Sequence, residues 1–156
     1  MNAVVILAMI FHTLGLKNPD PANPYHQRLA RIAVSTDHVV SDLRPSLSGR
    51  QSFAAAIVTI VSHESGFRRD VHSGETMGDL NLPKGRSICL MQINRGNTLV
   101  NADQWRRLAG VGWEATDRCI EVGARSLLRA MRYCRARHYK TYWRESMFTL
   151  YGTGNR

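Results

Sequence analysis

The chain has 156 residues, of which 44% are hydrophobic, so it can form one globular domain with a sizeable core, and wholesale disorder is excluded. Lys and Arg number 21 against 12 Asp and Glu, and the net charge of +9 predicts attraction to polyanions such as nucleic acid, anionic lipid or envelope polymers. Composition alone does not choose among these partners.

The N-terminus begins with an unbroken apolar run over residues 3–11. This run is far shorter than the roughly 20 residues that span a bilayer, so no transmembrane span is expected. It also lacks the basic n-region and small-residue cleavage site of a secretory signal. We therefore predict a buried N-terminal helix, with an atypical export or membrane-contact segment as the alternative.

Two further helices are predicted after a proline-rich loop at residues 17–25. Apolar spacing over Tyr25–Leu43 is typical of an amphipathic helix, which we expect to be interrupted near Ser35. The next helix should run from Phe53 to about Glu64 with Ser52 as its N-cap. It is apolar on all sides, which places it at the centre of the core.

The second half of the chain begins with a polar stretch, residues 66–87, that has no periodicity and is expected to be a long functional loop. The short apolar segment Ile88–Asn94 is compatible with a strand or a helical turn. Helices are then predicted over Asp103–Ala109, over Thr116–Arg137 with Thr116 or Asp117 capping, and over a last stretch that contains residues 142–152. The expected class is mainly α, in one domain, with at most a very short β element.

The three cysteines, Cys89, Cys119 and Cys134, form no CxxC motif, and one must stay unpaired in any disulfide scheme. Cys119 and Cys134 fall on the same predicted helix about 22 Å apart, which excludes a bridge between them. We interpret the cysteines as small, buried apolar side chains.

Several kinds of site are disfavoured by the motifs. The His-Glu pair at residues 63–64 lacks the second histidine of a zincin, because Phe67 stands at the required position, so no metal is expected. Phosphate-binding and dinucleotide fingerprints are absent, and no cofactor is expected. Residues 123–144 contain seven Lys or Arg and no acid, but no nucleic-acid-binding signature accompanies them, so nucleic acid ranks below other partners.

Glu64 is the leading candidate for chemistry. It ends the apolar helix, where a carboxylic acid is partly desolvated and its protonated form is favoured. A protonated Glu can act as a general acid toward a glycosidic oxygen. A solvated Glu at a helix end is the simpler alternative for this residue alone.

Four segments in order strengthen the case: "ESGF" at 64–67, "CLMQIN" at 89–94, "DRCIEVGARSLLRAM" at 117–131 and "FTLYGTG" at 148–154. Together they resemble the lytic transglycosylases of the soluble-lytic-transglycosylase type, relatives of goose-type lysozyme. The resemblance covers residues 50–154. It implies a single-domain lysozyme-like fold, with residues 46–156 as the catalytic domain and residues 1–45 as a helical segment packed on it or leading into it.

The resemblance also implies roles. Glu64 corresponds to the catalytic acid/base, and the residues expected to position it or to line the sugar-binding groove are Ser65, Met91, Gln92, Asn94 and Tyr151. Two positions depart from the family pattern. Cys89 replaces the usual glycine before Leu-Met-Gln, and "YGTG" lacks the amide residue that normally follows the tyrosine.

The expected reaction is cleavage of the bond between N-acetylmuramic acid and N-acetylglucosamine, with a 1,6-anhydro product formed without water. Asp70, Glu75 and Asp79 on the polar stretch are candidate second carboxylates, and a hydrolysing muramidase is the alternative outcome. The second alternative is a non-catalytic virion or secretion-machine component that binds wall or nucleic acid. The expected partners are peptidoglycan glycan strands and anionic envelope polymers. Action at the bacterial cell wall follows from these partners, with the export route left open.

Overall fold

The computed structural model describes residues 2–43, 47–78 and 86–136 of the chain. Their elements are α1 (Ala3–Thr13), α2 (Pro24–Asp42), α3 (Leu47–Ser65), α4 (Arg69–Ser73), β1 (Ser87–Ile88), β2 (Ile93–Asn94), α5 (Ala102–Arg106) and α6 (Trp113–Ala136). The predicted mainly α class with a very short β element is confirmed. The helix predicted to contain residues 142–152 lies outside the described residues.

In the part of the chain that the structure describes, one hydrophobic cluster joins the long helices. Helix α1 packs against α2 and α3, and α2 packs against α6. The predicted N-terminal helix is confirmed: Asn2 caps it by accepting a 3.1 Å hydrogen bond from the Val5 amide, and Ile6 and Ile10 are fully buried. Val4 and Val5 are exposed, so α1 contributes one face to the core. Within the described ranges, every helix is too short or too polar to cross a bilayer.

Helix α2 is continuous, so the interruption predicted near Ser35 is wrong. Asn23 caps the helix and Pro24 occupies its first turn, a position where the missing amide proton costs nothing. The hydroxyl of Thr36 donates a 2.8 Å hydrogen bond to the Ile32 carbonyl. This polar side chain is therefore satisfied within the helix, which can continue through the buried Ser-Thr pair.

Two predicted helix starts are also wrong. Helix α3 begins at Leu47, so Ser52 lies inside it and is not its N-cap. Helix α6 begins at Trp113, so Thr116 and Asp117 belong to its first turns. The Thr116 hydroxyl donates a 2.7 Å hydrogen bond back to the Gly112 carbonyl. Local propensity therefore places the starts of both helices too late in the sequence.

The polar stretch predicted as a loop contains helix α4, which buries Val71 and His72. The helix ends at Gly74, whose φ of +83° favours glycine. A Cβ atom at Gly74 would also lie 2.6 Å from the Cβ of Ala109, so the loop before α6 packs directly on this turn.

The segment that follows is a tight antiparallel hairpin in which Ser87 pairs with Asn94 and Ile88 with Ile93. The interpretation of the cysteines as unpaired is wrong for two of them, because Cys89 in the hairpin turn forms a disulfide with Cys119 on α6. Their predicted burial is confirmed, since neither is exposed. The pairing joins the hairpin covalently to α6.

Candidate active site

Glu64 is the penultimate residue of α3, where the helix stops at a glycine. The amide of Gly66 donates a 2.9 Å hydrogen bond to the Ser62 carbonyl, and Gly66 has a φ of +55°, which together form a left-handed C-cap. The Glu64 side chain is 27% exposed, whereas that of His63 beside it is 86% exposed. Glu64 is therefore partly removed from water and still reachable from it, as a general acid requires.

The turn after Glu64 has a second left-handed residue, Phe67, with a φ of +55°. A bulky residue in this region is strained, at a cost on the order of 1–3 kcal/mol. Two contacts compensate for the strain. The ring of Phe67 is fully buried, and the main-chain carbonyl of Phe67 accepts a hydrogen bond from Nη2 of Arg28 on α2.

Ser65 is buried, and its hydroxyl donates a 2.8 Å hydrogen bond to the Val61 carbonyl within α3. Its side chain is thus directed back onto its own helix. This geometry suits a residue that stabilises the helix end next to Glu64 better than one that contacts a ligand.

The hairpin turn holds the other predicted groove residues described by the structure. Met91 is fully buried against α6, where a Cβ added to Gly123 would lie 2.7 Å from the Met91 Cε and 3.0 Å from its Cβ. Gln92 and Asn94 are half-buried. The Gln92 amide nitrogen Nε2 donates to the Cys89 carbonyl at 3.1 Å, and Asn94 Oδ1 accepts from the Gly96 amide at 2.8 Å. Met91 is therefore a packing residue, and Gln92 and Asn94 are the more accessible pair.

The candidate second carboxylates differ in their surroundings. Asp70 accepts hydrogen bonds from the Arg68 guanidinium and, at 2.6 Å, from the Thr76 hydroxyl. The hydrogen bond from Arg68, followed by that from Thr76, lowers the pKa of Asp70 to about 2. Glu75 is exposed. Asp79 and Tyr151 lie outside the described residues.

A buried polar network behind this turn was missed by sequence reasoning. Arg28 Nη1 lies 3.4 Å from His72 Nδ1, and His72 Nε2 lies 2.9 Å from the Thr116 hydroxyl. Burial, followed by the charges of Arg28 and Arg31, lowers the pKa of His72 to about 3. The three residues belong to different helices, and the nearest sequence signal for the burial of His72 was the adjacent apolar Val71.

Among the described residues, no group of three or more His, Cys, Asp or Glu side chains is placed to hold a metal ion. Comparison with known proteins adds no assignment: no family model, no curated protein and no solved structure matches this chain.

Proposed function

We propose that the protein is a peptidoglycan-cleaving lytic transglycosylase with a lysozyme-like fold and Glu64 as its general acid/base. The observation that carries the proposal is the position of Glu64, a partly buried carboxyl group at the glycine-capped end of a core helix. A strained turn follows, in which the carbonyl of Phe67 accepts a hydrogen bond from the buried Arg28. Strained backbone held by its surroundings is concentrated at functional sites.

The proposed reaction uses this single carboxyl group twice. Protonated Glu64 donates its proton to the glycosidic oxygen as the bond between N-acetylmuramic acid and N-acetylglucosamine breaks, leaving an oxocarbenium-like centre. The resulting carboxylate then removes the proton of the muramic C6 hydroxyl, whose oxygen attacks C1. The 1,6-anhydro ring forms, and Glu64 is protonated again.

The environment of Asp70 disfavours an inverting hydrolysis that would use this residue as the base. A muramidase that inverts the anomeric centre needs a second carboxylate to deprotonate water. Asp70 is occupied by Arg68 and Thr76, and a pKa of about 2 makes it a weak base. Glu75 is exposed to solvent.

The disulfide and the charge agree with action at the cell wall. Disulfides persist in the periplasm and outside the cell and are rare in reducing compartments, so the Cys89–Cys119 bridge favours an exported or delivered protein. A net charge of +9 would help adsorption to anionic envelope polymers. On α6, Arg118 and Arg125 form ion pairs with Glu114 and Glu121 one turn earlier, which reduces the positive charge available there for nucleic acid.

The test is digestion of purified sacculi by the parent protein and by Glu64→Gln, with mass spectrometry of the soluble products. We expect the parent to release products lighter by one water than muramidase products, and the variant to lose at least 100-fold in rate, in the range of general acid–base contributions. Glu75→Gln is the matched control, since it removes an exposed carboxylate, and should retain parental activity.

The alternatives give different results. Products of full hydrolytic mass would identify a muramidase. Equal activity of Glu64→Gln and the parent would remove Glu64 from the mechanism, and a parent that binds sacculi without cleaving them would indicate a non-catalytic wall-binding component.

A further inference from the structure

The buried network of Arg28, His72 and Thr116 links three helices to the turn that follows Glu64. Arg28 lies on α2, His72 on α4 and Thr116 on α6, and all three side chains are buried. Buried polar side chains on separate helices rarely meet by chance, because each unmade hydrogen bond costs about 1–3 kcal/mol. We therefore expect the network to have a role that apolar side chains at these three positions would not have.

The hydrogen bonds define the direction of the network. The Thr116 hydroxyl uses its one proton on the Gly112 carbonyl at 2.7 Å, so it can only accept from His72. His72 must then carry its proton on Nε2, 2.9 Å from that hydroxyl, and present the lone pair of Nδ1 to Arg28 Nη1 at 3.4 Å. A neutral imidazole with a defined tautomer thus orients one arm of the guanidinium.

The other arm of the guanidinium reaches the turn. Arg28 Nη2 donates to the carbonyl of Phe67, the second of two consecutive residues with a φ of +55°. The turn itself has two main-chain hydrogen bonds, from the Gly66 amide to the Ser62 carbonyl at 2.9 Å and from the Arg68 amide to the Ser65 carbonyl at 3.0 Å. A charged donor on the Phe67 carbonyl favours the left-handed conformation that this short turn requires.

We propose that Arg28, oriented by His72 and Thr116, is a positioning residue that holds the Gly66–Phe67 turn and thereby fixes the direction of the Glu64 carboxyl group. The inference rests on the proposed function, because Glu64 must be the acid for its direction to affect catalysis. Displacement of a catalytic group by about 1 Å can lower a rate by about 100-fold. Binding of a long glycan before the reaction depends on many other contacts, so it should change little. Loss of Arg28 should therefore lower kcat and leave KM nearly unchanged.

The test compares Arg28→Ala with Arg31→Ala, a matched control. Arg31 also lies on α2, also donates to a main-chain carbonyl, that of Val111, and stacks on Trp113, but no hydrogen bond connects it to the turn in the described residues. Two quantities are measured: kcat and KM on solubilised peptidoglycan strands, and hydrogen exchange of the Gly66 and Arg68 amides by mass spectrometry of short peptides.

We expect Arg28→Ala to lower kcat at least tenfold, to change KM less than threefold and to accelerate exchange at both amides. Arg31→Ala should change neither kcat nor the exchange of the turn. Arg28→Lys, which keeps a charged donor for the Phe67 carbonyl, should recover most of the lost kcat and guards against misfolding of the alanine variant.

Unchanged exchange at the turn in Arg28→Ala would overturn the inference whatever the activity. Accelerated exchange with parental kcat would also overturn it, because the turn would then move without affecting catalysis, as would equal kcat losses in Arg28→Ala and Arg31→Ala. A parent without glycan-cleaving activity would overturn the proposed function and the catalytic part of the inference, while the exchange measurement would still decide whether Arg28 holds the turn.

Discussion

His72 makes the stability of the protein depend on pH in a predictable direction. Its imidazole is fully buried and faces Arg28 and Arg31 from α2 and Thr116 from α6, and its pKa is lowered to about 3. In the unfolded chain the pKa returns to about 6.5. Between these two values the unfolded state binds a proton that the folded state does not, so acidification favours unfolding and stability rises with pH.

The magnitude follows from the two pKa values. Stability from this group is fully present above about pH 6.5 and is lost as the pH falls toward 3, at up to about 1.4 kcal/mol per pH unit. Between pH 7 and pH 5 the loss amounts to about 2 kcal/mol, which is a large fraction of a typical unfolding free energy of about 5–15 kcal/mol. The interval from pH 7 to pH 5 lies above the range in which Asp70 contributes, because the pKa of that group is 3.8 in the unfolded chain and about 2 in the folded protein.

The assay is urea unfolding followed by circular dichroism at pH 7, 6 and 5, for the parent and for His72→Gln. Glutamine does not titrate and keeps an N–H donor for Thr116, so the variant should lose about 2 kcal/mol less than the parent between pH 7 and 5. His63→Gln, at an exposed site, should follow the parent. Parallel pH dependences of the parent and His72→Gln would refute the argument that a neutral buried imidazole is maintained at the expense of acid stability.

Three further predictions concern the hairpin turn and its contacts with α6. Gly123→Ala should reduce the unfolding free energy by about 1 kcal/mol, because overpacking against buried Met91 outweighs the gain of about 1 kcal/mol in helix propensity. Met91→Ala removes the sulfur and Cε and keeps only the Cβ contact, so it should make the same change less costly; additive effects in the double mutant would contradict this. Reduction of the Cys89–Cys119 bridge, which spans 30 residues, should lower the unfolding free energy by roughly 3.5 kcal/mol. In a Cys119→Ala background, Cys89→Gly should be about 1 kcal/mol more stable than Cys89→Ala, because Cys89 has a φ of +66°; equal denaturation midpoints would show that this backbone position does not favour glycine.

Periodic apolar patterns predicted the amphipathic helices because a helix that buries one face has apolar residues at regular spacing. The amphipathic patterns of α2 and α6 were found in this way, whereas α1 was predicted from an unbroken apolar run. Helix ends were less predictable. Thr36 and Thr116 satisfy their hydroxyls on the preceding turn of their own helices, so residues that suggest a break or a cap became part of the helix interior.

In the candidate site, too, one part could be predicted from the sequence and another part could not. Glu64 stood out because a carboxylate directly follows a buried run, and that contrast is local in sequence. The buried network of Arg28, His72 and Thr116 has no such local pattern, since Arg28 and His72 are 44 residues apart and meet only through tertiary packing. The Cys89–Cys119 bridge could not be predicted for a related reason: an odd number of cysteines without a motif leaves the pairing to the fold.

The position of Arg28 limits how much of the N-terminal part of the chain can be removed without losing a contact to the turn after Glu64. The guanidinium that contacts the Phe67 carbonyl belongs to α2, and Ile10 on α1 and Ile32 on α2 lie in the same core as α3. A version shortened to begin at residue 46 would keep Glu64 and the hairpin but would remove that guanidinium and expose the apolar surface of α3. The two N-terminal helices should therefore be retained, with Arg28 unchanged, when the protein is shortened, fused or transferred to another scaffold.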